Sequence, residues 1–452
     1  MPEPVSIQVG GNVAGSIVVG SNNIVGDNNF VVNDNHGVIV YKQPGPQVRA
    51  RGFVPQPPRA PRDFVNRTLE LSKLEAWIAA NEIVLMHAPD GMGKSSLLKQ
   101  AANSAAAKAM PNGVVLLESM DVNAQLLGAD DVIQHLFDAL FESDPPLKVD
   151  AVSARTYLSN TRPLVLLDEV SLSPALQKVL PDLFPKGAIL LTADLPFGVD
   201  FERLPIGPLP RQEAITLLAT KAGLEPNEAN RASLDAISGL LNDISLALVI
   251  TANILRETEI SPESALQVLK DTGTSEKNPI SAALDRVYSF AYNNLSPDEQ
   301  KVLSAAALTP GVSMSPEWLA SALGGVDVEA FIERLKALGL LFANSPRLRI
   351  PPGLRVSAQR LAVIDEDRLL TNLVEFLLAL LQKNPHDWAT IQDELGNLFG
   401  VLSWAVRSAR WADVIRLGRA LDAYLCLHGL WDAWDTVLGY VLDAASQSGE
   451  QR

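Results

Sequence analysis

The 452-residue sequence has few of the cysteines and histidines, and none of the long apolar runs, that are features of secreted, metal-binding and membrane-spanning proteins. Its one cysteine, Cys426, excludes a disulfide framework and any cysteine-rich metal site. Its five histidines are scattered along the chain and form no visible metal-binding cluster. No apolar run approaches the roughly 18 residues that span a bilayer, and the N-terminus has no signal-peptide pattern. We therefore expect a cytoplasmic protein without a membrane span.

Positive charge is also scarce. The chain has 37 lysines and arginines against 52 acidic residues, which gives a formal net charge of −15. A large nucleic-acid surface needs clustered Lys and Arg to neutralise phosphates, so DNA is not an expected partner. The length predicts about three domains, and 47% hydrophobic residues are enough to form their cores.

Residues 1–41 contain neither lysine nor arginine, and they alternate short β-branched runs with Gly/Asn turns. The pattern predicts a small β-rich segment, either a β-solenoid or stacked hairpins. Low charge and asparagine ladders are also typical of cross-β assembly. Residues 7–12 resemble the core of the amyloid signalling motifs of some bacterial and fungal immune-type ATPases. A disordered Asn-rich tail and a small β-cap without a signalling role remain open alternatives.

Residues 42–62 combine six prolines and four arginines with no acidic residue. Proline at this density predicts a semi-rigid extended linker rather than a folded element. The basic charge either keeps the linker solvated or lets it lie on the acidic body of the protein.

Residues 82–98 read as an apolar strand, a glycine-containing turn and an apolar helical pattern. In that order, backbone N–H groups of the turn and of the helix N-terminus point at phosphate oxygens. Lys94 is expected to reach the β- and γ-phosphates, and the Ser95 hydroxyl is expected to ligate Mg²⁺. A phosphate-binding loop of this kind usually begins with glycine, and this chain has alanine there, at position 88. The stretch predicts a site for ATP or ADP with Mg²⁺, and its binding residues are Gly91, Met92, Gly93, Lys94, Ser95 and Ser96.

A second apolar run, residues 163–167, ends in Asp168 and Glu169. A carboxylate at the carboxyl end of a parallel strand beside the phosphate loop is suited to hold Mg²⁺. Asp168 is therefore predicted to share the metal with Ser95, and Glu169 to orient or deprotonate the attacking water. Asp168 and Glu169 are the predicted catalytic residues. An Asp-Glu pair alone is a weak signal, but together with Lys94 it is a strong one.

The stretch 64–71, with Val65, Arg67, Glu70 and Leu71, resembles the entry sequence of STAND ATPases, the NB-ARC group of apoptosome scaffolds and plant resistance proteins. There the segment packs over the adenine, which implies nucleotide-binding roles for Val65 and Arg67. Residues 209–214 resemble the family's turn into a helical lid. Residues 244–248 resemble its turn over the nucleotide, with Ser245 in place of proline.

Residues 280–357 resemble the winged-helix domain of the same family. The candidate helices at 316–323 and 328–338 carry three glutamates against Arg334 and Lys336, which makes a poor major-groove surface. A domain that clamps the nucleotide is the better interpretation. From residue 365 onward, amphipathic helices with aromatic and small residues at their junctions predict a TPR-like solenoid.

Two positions depart from the family pattern. The family often has an arginine that senses the γ-phosphate at the strand end where this chain has Asp194. A histidine that holds the β-phosphate of ADP in the family is replaced by Pro351, with Arg349 or Arg355 as alternatives for that contact.

The predicted fold is an α/β P-loop NTPase with a parallel sheet, joined to a helical lid, a winged-helix domain and an α-helical TPR-like solenoid, after a small β-rich N-terminal segment. The predicted parts are the β segment 1–41, the linker 42–62, the nucleotide-binding domain 63–206, the lid 207–279, the winged helix 280–357 and the helical sensor 358–452.

The resemblance implies a nucleotide-dependent signal-transduction switch that oligomerises with itself on activation and resets by slow ATP hydrolysis. An unknown trigger would act on the C-terminal helices and a downstream effector on residues 1–41, with bacterial immunity as a candidate setting. The alternatives are a STAND-type transcriptional regulator and a nucleotide-bound scaffold without hydrolysis.

Overall fold

The computed structural model describes residues 46–61, 64–65, 67–118, 129–144, 147–169, 173–197, 201–225, 227, 230–273, 278–311, 313–344, 347–383 and 387–448. The predicted β segment 1–41 and its assembly motif lie outside these residues. The chain divides into two units, of which the first has 46–51, 141–144 and 147 as its described residues and the second has the described residues of 52–140 and 148–448.

Strands are short throughout the described residues. They are β1 (Gln47–Ala50), β2 (Ile83–His87), β3 (Val114–Glu118), β4 (Phe141–Asp144), β5 (Leu164–Asp168), β6 (Ala188–Ala193), β7 (Glu202–Pro205), β8 (Phe342–Asn344) and β9 (Arg347–Arg349).

Helices make up most of the second unit. They are α1 (Thr68–Ala80), α2 (Lys94–Ala101), α3 (Ala105–Lys108), α4 (Ala129–Leu140), α5 (Ala151–Leu158), α6 (Pro174–Leu183), α7 (Arg211–Ala222), α8 (Arg231–Leu240), α9 (Ser245–Thr258), α10 (Pro262–Asp271), α11 (Pro279–Asn293), α12 (Pro297–Leu308), α13 (Pro316–Ala322), α14 (Glu329–Leu338), α15 (Pro352–Arg360), α16 (Glu366–Lys383), α17 (Trp388–Arg407), α18 (Trp411–Leu427) and α19 (Trp431–Ser448).

The first unit is an antiparallel pair in which β1 bonds to β4, with Gln47 opposite Asp144. An exposed ion pair of 2.7 Å joins Arg49 to Glu142 across the two strands. The prediction that residues 42–62 hold no folded element is therefore wrong at 47–50. Residues 47–50 contain no proline, so each has an N–H group that can take part in a ladder.

The second unit is built around a five-stranded sheet in the order β3-β5-β6-β2-β7, and every described pairing in it is parallel. All five residues of β5 are buried, as expected for a parallel sheet covered on both faces. Strand β6 lies between β2, which precedes the phosphate loop, and β5, which ends in Asp168. The carboxyl ends of β2, β6 and β5 still meet at one edge of the sheet.

Residues 52–61 run along the second unit as an extended segment. The amide of Val114 donates to the carbonyl oxygen of Pro55 at 3.0 Å, and the Asn103 amide group donates to that of Pro58 at 2.8 Å. Gly113 has φ +73, and a Cβ atom there would lie 2.2 Å from the Pro55 oxygen. The C-terminal half of the predicted linker is thus docked on the sheet edge, and it leads to the cavity described below.

Four helices, α7 to α10, follow the sheet, and α11 to α15 then enclose the β8–β9 hairpin. The expected start of α13 is confirmed, because the Ser315 hydroxyl accepts a hydrogen bond from the amide of Trp318 at 3.1 Å and Pro316 opens the helix. The name winged helix stays a prediction for this segment.

The C-terminal helices α16 to α19 contain 17 to 20 residues each. The predicted junctions near Trp411 and Trp431 are present, since both residues begin a helix. Among the described residues, no helix is both long and apolar enough to span a membrane. The cytoplasmic location stays a prediction.

Candidate nucleotide-binding site

The loop between β2 and α2 has the backbone of a phosphate-binding turn. Gly91 and Gly93 have φ of +83 and +91, in the region that glycine enters without strain. A Cβ atom at Gly91 would lie 3.2 Å from the Cβ of Leu246 and 3.3 Å from Cγ2 of Ile244. Glycine is therefore required here both by the turn and by the close approach of the α9 N-terminus.

A cavity of about 390 Å³ opens beside this loop. That volume falls in the range of small-molecule sites. Its lining includes five of the predicted binding residues together with Glu169. These five are Gly91, Gly93, Lys94, Ser95 and Ser96.

Lys94 is the cation at the centre of the loop, and its side chain is only 4% exposed. Its Nζ donates to the carbonyl oxygen of Ala88 at 2.6 Å and to Oδ1 of Asp194 at 2.8 Å. A third oxygen, from the carboxylate of Asp90, lies 3.6 Å away. Burial and the negative charge of Asp194 raise the pKa of Asp90. The nitrogen predicted to hold phosphates is thus already surrounded by oxygen atoms.

Ser95 and Asp168 lie together at the sheet edge, as the sequence predicts. The Ser95 hydroxyl donates to Oδ1 of Asp168 at 3.0 Å, and the Thr192 hydroxyl donates to the same oxygen at 2.8 Å. A hydroxyl and a buried carboxylate are oxygen ligands of the kind that Mg²⁺ prefers. The donor set therefore fits a magnesium ion held by Ser95 and Asp168.

Thr192 was not predicted from the sequence. It ends the buried stretch of β6, and its hydroxyl links Asp168 to the amide of Glu169, which donates to Oγ1 at 2.8 Å. A hydroxyl residue near the end of an apolar strand is the signal that could have identified it.

Glu169 follows β5 in the left-handed region, with φ 57. Burial, and then the negative charges of Asp168 and Asp90, raise the pKa of Glu169 to about 7. A carboxyl group with a pKa near neutrality can both give and take a proton at neutral pH. Its place in the lining of the cavity fits the predicted role toward water.

Neither Arg67 nor Val65 is among the described residues that line the cavity. Arg67 is buried, and its Nη2 donates to the carbonyl oxygens of Met92 at 2.8 Å and Gly207 at 2.9 Å. Val65 packs half-buried against the core. Arg67 therefore ties the entry segment to the phosphate loop through Met92, and a contact of either residue with adenine stays a prediction.

The start of α9, strands β8 and β9 and the start of α15 also contribute residues to the cavity lining. The amide of Leu246, at the start of α9, donates to the carbonyl oxygen of Gly91 at 3.0 Å, and Ser245 lines the cavity. Gly353 approaches so closely that a Cβ atom there would lie 3.0 Å from the Cβ of Asp90. Residues 244–248, predicted as a turn, are the N-cap and first turn of α9, and they contact the phosphate loop although they lack proline.

The two arginines named as substitutes for the missing histidine differ in position. Arg349 lines the cavity together with Pro351. The guanidinium of Arg355 donates to the carbonyl oxygens of Thr309 at 3.0 Å and Gly311 at 2.9 Å. Arg349 is therefore the candidate for a phosphate contact, and Arg355 holds the loop after α12.

The two basic residues of helix α14 are both paired with glutamates. Arg334 forms a 3.0 Å ion pair with Glu257, and Lys336 forms a 2.6 Å pair with Glu333. The expectation that DNA is not a partner stays a prediction.

Among solved structures, the chain is similar to a Signal Transduction ATPase with Numerous Domains (STAND) protein with a tetratricopeptide repeat sensor from Pyrococcus horikoshii, with 14% identity and a TM-score of 0.45 over 87% of this chain. It is also similar to a Walker-type ATPase of Pyrococcus abyssi, with 16% identity and a TM-score of 0.36, over 67% of this chain and 98% of that one. The ORC2 protein of Aeropyrum pernix matches at 14% identity and a TM-score of 0.33, over 70% of this chain and 96% of that one.

The fold is that of a P-loop ATPase. A STAND protein is among the matching structures, and this chain spans 66% of its length. No protein-family model matches the sequence, and no curated protein matches it.

Proposed function

We propose that this protein is a nucleotide-dependent signal-transduction switch of the STAND type, which binds ATP or ADP with Mg²⁺ and oligomerises on activation. One observation supports it most. The cavity beside Lys94 is bordered by the phosphate loop, by the start of α9 and by a third segment that contributes Phe342, Arg349, Pro351 and Gly353. A nucleotide there would touch three segments at once, so ATP and ADP can favour different arrangements of them.

The residues of the site divide the chemistry among them. Mg²⁺, when bound, neutralises charge that develops on the phosphates. Ser95 and Asp168 would hold the ion, and Thr192 orients Asp168 through its hydroxyl. Glu169 would orient or deprotonate a water molecule, and slow hydrolysis would reset the switch.

The signalling parts of the proposal rest on the resemblance to the STAND family. A trigger would act on the helices α16 to α19, and self-association would raise the local concentration of residues 1–41. Those residues would then reach a downstream effector, with bacterial immunity as the candidate setting.

Lys94→Ala tests the nucleotide site, and Lys186→Ala, which removes an exposed cation of the same unit, is its control. We expect isothermal titration calorimetry with ADP and Mg²⁺ to show binding by the wild type and by Lys186→Ala. Lys94→Ala should bind at least about tenfold more weakly, because a phosphate loses its charge-assisted hydrogen bond. Equal affinity of all three proteins would overturn the site. A measurement of phosphate release from ATP distinguishes the two functions, because a switch that resets by hydrolysis releases phosphate and a scaffold without hydrolysis does not.

A further inference from the structure

The ammonium group of Lys94 has three N–H donors to distribute. One is bound by Ala88 at 2.6 Å and one by Asp194 at 2.8 Å. Asp90 is the next acceptor, at 3.6 Å, which is longer than a hydrogen bond. One donor therefore remains for a phosphate oxygen while the Asp194 contact is intact.

Asp194 can leave this contact easily. Its side chain is 65% exposed, whereas that of Lys94 is 4% exposed. A carboxylate that turns away from Lys94 would regain its contact with water, while the lysine stays where it is. The contact is thus one that a stronger anion can displace.

The number of phosphates decides whether displacement is needed. A diphosphate places one group on Lys94, which its remaining donor can serve. A triphosphate needs Lys94 to contact both the β- and the γ-phosphate, so the Asp194 carboxylate must be expelled and left beside a second anion. Like charges at such distances oppose each other.

We propose that Asp194 makes this site discriminate between nucleoside diphosphate and triphosphate, by occupying the Lys94 donor that a γ-phosphate requires. The inference rests on the proposed function, since it concerns the same cavity. In this role, the Asp194 carboxylate competes with the γ-phosphate for Lys94.

Asp194→Asn removes the charge at nearly constant size, and Asp194→Glu retains it. Asp182→Asn is the matched control, because Asp182 is also an exposed acid of the same unit in an ion pair, with Arg155. The ligands are ADP and the non-hydrolysable triphosphate adenosine 5′-(β,γ-imido)triphosphate, each with Mg²⁺. Titration calorimetry gives both dissociation constants for each protein.

The wild type and Asp194→Glu are expected to bind ADP more tightly than the triphosphate. Asp194→Asn should bind the triphosphate about tenfold more tightly than the wild type does, because one charged contact is worth about a factor of ten. Its affinity for ADP should change by less than about threefold. Asp182→Asn should leave the ratio of the two constants unchanged.

An unchanged ratio in Asp194→Asn, with ADP still bound through Lys94, would overturn the inference and leave the proposed function intact. An equal gain for both ligands would also overturn it, because it would reveal a general effect of charge. If the folded wild type bound neither nucleotide, the proposed function would fail and the inference with it.

Discussion

Two of the ion pairs among the described residues differ in whether the anion can leave. Lys94 is 4% exposed while Asp194 is 65% exposed, so the pair at the phosphate loop has one fixed member and one mobile member. Arg347 is 13% exposed and its partner Glu394 is 4% exposed, so the pair between β9 and α17 is enclosed on both sides. The first pair is suited to exchange with a ligand, and the second is suited to join two segments.

The neighbours of the second pair support this difference. Arg347 also donates to Oγ of Ser313 at 2.8 Å and to its carbonyl oxygen at 3.0 Å. Glu394 accepts a 2.7 Å bond from Asn397, whose own oxygen accepts the amide of Gly311 at 2.8 Å. The side chains of Arg347, Glu394 and Asn397 thus all have partners, which makes removal of any single member costly.

Glu394→Leu tests the enclosed pair and should have the largest effect. Loss of the carboxylate leaves the Arg347 charge buried, so the free energy of unfolding should fall by about 3–5 kcal/mol. Replacing both residues, as Arg347→Met with Glu394→Leu, should restore much of the loss. Scanning calorimetry of the single and double variants measures both effects. A double variant less stable than the single one would contradict the assignment of the loss to an unpaired charge.

Gly353→Ala tests how tightly α15 is fitted to the phosphate loop. The added Cβ would lie 3.0 Å from the Cβ of Asp90 and 3.2 Å from Cδ1 of Leu284, which forces a shift that costs about 1–3 kcal/mol. We expect faster hydrogen exchange in the peptide that contains residues 88–93. Gly439→Ala is the control, because a Cβ atom at this position in α19 would have nothing within 4 Å. Hydrogen exchange of the peptide with residues 88–93 should be the same in this variant as in the wild type. Unchanged exchange in Gly353→Ala would mean that the loop does not depend on this contact.

Asp194→Ala should have the smallest effect on stability. The carboxylate is exposed and its pairing is screened by water, and Lys94 keeps the Ala88 carbonyl oxygen at 2.6 Å and the Asp90 carboxylate at 3.6 Å. The free energy of unfolding without nucleotide should therefore change by less than about 1 kcal/mol. Calorimetry of the nucleotide-free variant measures it. A loss as large as that of Glu394→Leu would mean that both pairs are structural, and the contrast between them would disappear.

Local patterns predicted the part of the site that is contiguous in sequence. The strand, turn and helix around Lys94 and the acidic end of the strand at Asp168 follow from hydrophobic periodicity, glycine and charge within a few residues. The Ser315 cap was predictable for the same reason.

The contacts that were not predicted join residues far apart in the sequence. Thr192 reaches Asp168 because β6 lies beside β5, and Glu394 reaches Arg347 because α17 packs against the β8–β9 hairpin. The pairing of β1 with β4 depends on the same kind of long-range approach. No local spacing encodes such partners, so they become visible only when the chain is folded.

Strand β9 connects a contact with α17 to the lining of the cavity. Its two arginines, Arg347 and Arg349, are two positions apart in an extended chain, and they therefore share one side of the strand. One is held by Glu394 of α17 and the other lines the cavity. Two residues of extended backbone span only about 7 Å and have little room to bend. A movement of α17 that carried Arg347 with it would also move Arg349.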